Sequence, residues 1–189
     1  LCRNLFIEAL AKESATLKIA FLNHTGNPDS LQTDLSSVDL LISKSTTPAL
    51  FHYCKTQPIV RQYIVTKYLY HSALLFSFND GSELKMNLIQ NKQQNGLLLL
   101  QATAMHASAT LTPAEFLSPS CEHHYEYIVL TSQLDGIPVP DRYKKYFSSL
   151  NTEKRARIFS YLQKKYSLIF NFIEDLYAPD TNIRFQLII

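Results

Sequence analysis

The segment Ser36-Ser37-Val38-Asp39-Leu40-Leu41-Ile42 decides how the rest of the chain is read. Its apolar residues and the turn-rich stretch before it predict a strand that carries one carboxylate, Asp39, and ends in a buried run. Residues two apart on a strand share a face, with Cα atoms ~7 Å apart. A second acid at position 37 would aim at the same point as Asp39 and complete a clamp for a divalent cation. That position is serine. The segment carries half of a metal-binding strand.

Upstream, Leu5, Phe6, Ala9 and Leu10 recur at helical spacing and predict an amphipathic helix over residues 1–14. Residues 17–22 alternate like a strand. Residues 23–34 hold Gly26, Asn27, Pro28, Asp29 and Ser30, which is turn chemistry. Downstream, Ser45-Thr46-Thr47-Pro48 predicts a helix entry with hydroxyl caps, and that helix stops before Pro58. Residues 59–90 read as a β-meander, with Asp80-Gly81 as its hairpin turn and strict alternation from Glu83 to Ile89. Residues 97–103 add a short strand or helix.

Beyond residue 112 the period becomes helical. Thr112-Pro113-Ala114-Glu115 predicts a short helix, followed by helices over 125–134, 141–150, from Asn151 onward and over 166–177, then an apolar, strand-like tail over 182–189. The expected fold class is α+β: a small mixed sheet flanked by helices over 1–110, then a helical region over 111–189.

Composition bounds the function. An apolar fraction of 46% supports a real core, and a net charge of +2 with dispersed lysines and arginines does not predict nucleic-acid binding. Cys2, Cys54 and Cys121 lack metal-ligand spacing, and an odd, scattered set fits a reducing, cytoplasmic setting. Cys121 with His123-His124 lacks a second ligand pair, so an exposed polar helix start is expected there rather than a zinc corner. No apolar run approaches the length of a membrane span. With four glycines and no Gly-x-Ser-x-Gly elbow, neither a phosphate-binding glycine loop nor a serine hydrolase is indicated. Tyr63, Tyr68 and Tyr70 read as sheet residues rather than base-stacking ones.

The order Phe21-Leu22-Asn23-His24-Thr25-Gly26-Asn27-Pro28-Asp29-Ser30-Leu31, then Ser36 to Ile42, then Asp80-Gly81-Ser82-Glu83-Leu84-Lys85-Met86-Asn87, resembles a bacterial uncharacterised nucleotidyltransferase family of the polymerase-β-like superfamily. Members of that family show an apolar strand with Leu-Arg-Asn, a Pro-Asp/Glu-Ser turn, a strand with two aspartates, and a later strand with a third carboxylate. The resemblance implies a nucleotidyltransferase-like fold, Mg²⁺ and a nucleoside triphosphate as cofactor and substrate if the chain is active, and Asp39 as catalytic residue and metal ligand. It also implies Asn23, Ser36 and Ser37 against the nucleotide. Ser36-Ser37 reads equally as a phosphate cradle and as an ordinary polar start to a strand.

Two divalent cations in such a site stabilise charge developing on the phosphoryl oxygens and lower the pKa of the attacking hydroxyl. Mapped onto this chain, the first acid is Ser37, the third is Asn87, and the expected arginine is Leu22. Glu83 shares Asn87's face but lies ~13 Å along it, and Lys85 stands between them with the opposite charge. Asp80 is further still, and Asp34 would need a sharp bend. The expectation is a catalytically degenerate member that keeps a ligand- or partner-binding role. One alternative is an active Mg²⁺-dependent transferase acting on a small molecule or protein. Another is a scaffold whose C-terminal helices meet a protein partner.

Overall fold

The computed structural model describes residues 1–22, 37–68, 71–94, 97–135, 138–139 and 141–166. The expected turn over 23–34, the helix over 166–177 beyond its first residue and the tail over 182–189 lie outside them. The chain divides into two units, Leu1–Ser120 and Cys121–Ile189.

The first unit is built on a five-stranded mixed sheet, which makes the α+β class explicit. Helices α1 (Cys2–Lys12) and α2 (Ser14–Leu17) precede β1 (Ala20–Phe21), β2 (Ser37–Leu41), α3 (Thr47–Thr56), β3 (Val60–Lys67), β4 (His71–Phe78) and β5 (Glu83–Ile89). The sheet order is β1-β2-β5-β4-β3. All neighbours are antiparallel except β2 and β5, which run parallel with Asp39 opposite Asn87 and Ser37 opposite Lys85. A parallel pair needs a crossover, and here it consists of α3 and the β3–β4 hairpin.

Alternation assigns the two faces. Leu84, Met86 and Leu88 of β5 are buried with Leu74, Phe76 and Phe78 of β4 and with Val38 and Leu40 of β2. Phe6 and Leu10 of α1 and Leu50 and Cys54 of α3 close over them. Phe6 stands 5.0 Å from Phe76 and 5.5 Å from Phe78 by ring centroid, tilted as aromatic quadrupoles prefer. Each such ring, fully buried, contributes about 2–3 kcal/mol. On α1 the buried face is Phe6, Ile7, Leu10 and Ala11, one residue round from the expected stripe, and Leu5 is exposed.

Several local expectations are corrected. The strand over 17–22 shrinks to Ala20–Phe21, because α2 runs to Leu17 and Lys18 takes a left-handed conformation at φ 50°. The hydroxyls before α3 do not cap it. Thr46 and Thr47 instead donate back to the Ser43 carbonyl, each at 3.0 Å. The β4–β5 turn is a three-residue loop: Gly81 N–H donates to the Phe78 carbonyl at 3.0 Å, and Gly81 at φ 81° supplies the left-handed residue that follows.

After β5 come β6 (Lys92–Gln94), β7 (Leu97–Leu100), α4 (Ala102–Ala107), β8 (Thr110–Leu111) and β9 (Leu117–Ser118). The expected helix at 112–115 is the connection of the β8–β9 hairpin. There the Thr112 N–H donates to the Phe116 carbonyl at 2.9 Å, and Glu115 sits at φ 61°. Phe116 is fully buried, 5.4 Å from Phe21 by ring centroid, so core packing bends a segment whose local chemistry favoured a helix start. The Leu117 N–H also donates to Ser14 Oγ at 2.9 Å. These ties hold residues 111–120 in the first unit.

The second unit contains α5 (Cys121–Asp135), α6 (Asp141–Ser148) and α7 (Thr152–Tyr166). Asn151 Oδ1 accepts the Lys154 N–H at 2.9 Å, which is the expected N-terminal cap of α7. α5 begins four residues before the expected start, and it is buried from His124 to Leu130. His124 is therefore no exposed helix entry: it lies among the rings of Tyr143, Tyr146 and Phe147, 5.9–6.1 Å away. No helix among the described residues is long and apolar enough to cross a membrane.

Candidate functional site

The side chains of Ser37 and Asp39 leave β2 on the face opposite the aromatic core, as their spacing requires. The parallel register brings Lys85 and Asn87 of β5 beside them on that face. Asp39 and Asn87 are both half-buried. Asn87 Nδ2 donates to Asp39 Oδ1 at 2.6 Å, across 48 residues of sequence.

That bond also orients the amide. A carboxylate only accepts, so the NH₂ group must face Asp39 and the amide oxygen must point away from it. Asn87 Oδ1 is buried there and has no hydrogen-bond partner among the described residues. A buried acceptor left unmade costs about 1–3 kcal/mol, so the position favours any molecule that brings an N–H or O–H donor.

The neighbouring row is Ser37, Lys85 and the half-exposed Leu75 of β4. Lys85 Nζ lies 5.9 Å from the centroid of Tyr68, close enough for a weak cation–π attraction. Tyr68 in turn stacks on His71 with centroids 4.7 Å apart and planes 18° from parallel. Around Asp39 the face therefore combines a carboxylate, an ammonium, a hydroxyl, an amide and a stacked pair of rings, with Leu41 and Ile89 buried beside them and Glu83 exposed at its far end.

Leu22 occupies the position where the resemblance expects arginine. It is fully buried, and its N–H donates to the Asp39 carbonyl at 2.9 Å. No cation stands at that point of the strand. Asn23 and Ser36, expected against a nucleotide, lie outside the described residues, as do His24, Asp29 and Asp34. Of the expected site residues, Ser37 and Asp39 share a face, and Asn87 joins them at the place expected for the third acid.

Two hard cations need several anionic oxygens around a common point. Among the described residues, the group at Asp39 offers one carboxylate, one neutral amide that turns a donor toward it, one hydroxyl and a nearby ammonium. This set does not fit a two-Mg²⁺ centre. Among the described residues no three of histidine, cysteine, aspartate and glutamate gather closely enough to hold a metal ion.

A second polar cluster, in the other unit, went unread in the sequence. Glu126 of α5 is fully buried and accepts from Tyr161 Oη and from Lys165 Nζ of α7, each at 2.6 Å. Lys165 also donates to Tyr161 Oη at 3.2 Å. Arg157 pairs with Glu122 at 2.7 Å on the same pair of helices. Burial, then the bond to the Glu126 carboxylate, holds the Tyr161 hydroxyl far above its ordinary pKa, so it stays protonated. The one signal in the sequence was the four-residue spacing of Tyr161 and Lys165 on a helix.

No family model, no curated protein and no solved structure matches the chain.

Proposed function

We propose that this chain is a nucleotidyltransferase-fold protein that has lost two-metal catalysis and uses the half-buried polar group around Asp39 to bind a ligand or a partner. The observation that carries the reading is the 2.6 Å bond from Asn87 to Asp39. Asparagine there answers the remaining carboxylate with a donor, where an acid would share a cation with it. Ser37 and Lys85 support the same reading, since a hydroxyl and an ammonium replace negative charge in the adjacent row. A ligand suited to this face brings a donor for Asn87 Oδ1 and an anionic group for Lys85, with Ser37 as a further hydrogen-bonding partner. A nucleotide has both features. The reading also carries a cytoplasmic setting, for which the three scattered thiols remain the support.

Calorimetry tests this directly. The native protein is expected to bind a nucleoside triphosphate without requiring Mg²⁺ and to transfer no nucleotidyl group. The double variant Ser37→Asp with Asn87→Asp is expected to gain Mg²⁺ or Mn²⁺ binding. Mg²⁺-dependent transfer that Asp39→Ala abolishes would make the chain an active enzyme and end the proposal. A folded double variant that ignores both metals would show that positions 37 and 87 never belonged to a metal site.

A further inference from the structure

Among the described residues β3 ends the sheet, and its eight residues are exposed or half-exposed along their whole length. From Arg61 to Lys67 it is hydrogen-bonded to β4 and, among the described residues, to nothing else. The phase of the ladder follows from one bond. Tyr68 N–H donates to the His71 carbonyl at 2.8 Å, so in the register that continues from it residues 62, 64, 66 and 68 turn their backbone groups toward β4. Tyr63, Val65 and Lys67 therefore present an N–H and a C=O each to the outside.

Side chains flank this open ladder on both faces. Ile64 is 57% exposed, and its partner Leu75 is 42% exposed beside it. Val65, on the other face, is 40% exposed. Arg61 and Lys67 bracket the strand, neither is in an ion pair among the described residues, and β3 contains no acid.

We infer that β3 is a docking edge for an extended, acid-flanked segment of a partner protein, which adds to the sheet as a sixth strand. The backbone of Tyr63, Val65 and Lys67 supplies the ladder, Ile64 and Leu75 meet an apolar side chain of the incoming strand, and Arg61 and Lys67 take its terminal carboxylates. Charge selects this occupant over a second copy of the chain. Antiparallel self-pairing that uses the whole edge would set Arg61 opposite Lys67, and like charges directly opposite destabilise a strand pair.

The probe is a fluorescein-labelled peptide, Glu-Glu-Ile-Thr-Val-Thr-Ile-Glu-Glu, titrated by fluorescence anisotropy beside a version with lysine at every Glu. The acidic peptide should bind at least about tenfold more tightly than the basic one. Val65→Pro deletes an outward N–H that is not part of the β4 ladder, so thermal unfolding should persist while the acidic peptide weakens about tenfold or more. Exchanging both cations, Arg61→Glu with Lys67→Glu, should reverse the peptide preference. That pair is the decisive variant if proline disturbs folding, because both positions are solvent-facing. Equal binding of the two peptides, no binding of either, or indifference to the charge exchange would overturn the inference. So would sedimentation showing a dimer that Val65→Pro dissociates, since the occupant would then be another copy.

Discussion

The sheet of the first unit and the α5–α7 helix pair of the second each hold a carboxylate, and the two are treated in opposite ways. Glu126 is wholly enclosed and receives a hydroxyl and an ammonium at 2.6 Å. Asp39 is half-buried and receives a neutral amide at the same distance. A buried carboxylate without a cation is strongly unfavourable, so Lys165 is the condition for Glu126 being there at all. A half-buried carboxylate keeps part of its hydration, so its desolvation penalty is smaller. The enclosed pair specifies how two helices pack. Asp39 instead joins β2 to β5 across a half-buried face.

Removing the cation from the enclosed pair should give the largest effect. Lys165→Met takes this cation from the buried Glu126 carboxyl, and should cost the second unit about 3 kcal/mol in urea unfolding. The double variant Glu126→Leu with Lys165→Met should recover most of that loss, because an apolar pair of similar volume removes both desolvation penalties. If Lys165→Met costs less than ~1 kcal/mol, the seam behaves like a surface ion pair and the contrast with Asp39 collapses.

How much of this contrast was legible in the sequence depended on distance along the chain. The alternation of Glu83 to Ile89 announced which side chains of β5 are buried, because a period of two is a local property. The position of Asn87 as the third corner of the Asp39 group was also read. Its direct bond to Asp39 was not, since a parallel register is set by a crossover of some forty residues rather than by adjacent ones. The Thr112 to Glu115 segment carried convincing helix-entry chemistry and was overruled by the burial of Phe116. Glu126 could not be recognised as buried, because its partners arrive from α7, 35 and 39 residues later.

Alkaline titration tests the buried thiols and phenols of each unit next. Burial is the main cause that raises the Cys54 thiol in the first unit from 9.0 to about 12. In the second, burial raises Tyr146 from 10.0 to about 12 and Tyr161 further still. In each case the folded chain holds its proton after the unfolded chain has released it. The stabilisation is therefore complete below the unfolded pKa and is lost as pH rises toward the folded one. Both units should begin to weaken above pH 9, because burial also raises the Cys121 thiol of the second unit from 9.0, and Tyr53, also raised to about 12, adds to the first unit's decline. Denaturant titrations from pH 8 to 11 follow both, and Cys54→Ala should move the first onset upward while leaving the second in place. A first-unit onset unaffected by Cys54→Ala would mean that the thiol is not the group responsible.

The smallest expected change in stability is at Asp39, and its smallness is what gives it meaning. Asp39→Asn preserves volume and leaves an amide oxygen able to accept from Asn87 Nδ2, so the cross-strand bond survives without the charge. Because the residue is only half-buried, unfolding free energy should shift by no more than about 0.5 kcal/mol. The same substitution removes the negative partner facing Asn87 and leaves Lys85 as the neighbouring charge, so ligand affinity should respond while the melting curve does not. For a cationic or hydrogen-donating group at Asp39, binding measured by calorimetry should weaken by tenfold or more. An anionic ligand held mainly by Lys85 should bind more tightly, because the repulsion from Asp39 is gone. A large loss of stability with no change in binding would reverse the contrast, making Asp39 a second structural carboxylate like Glu126.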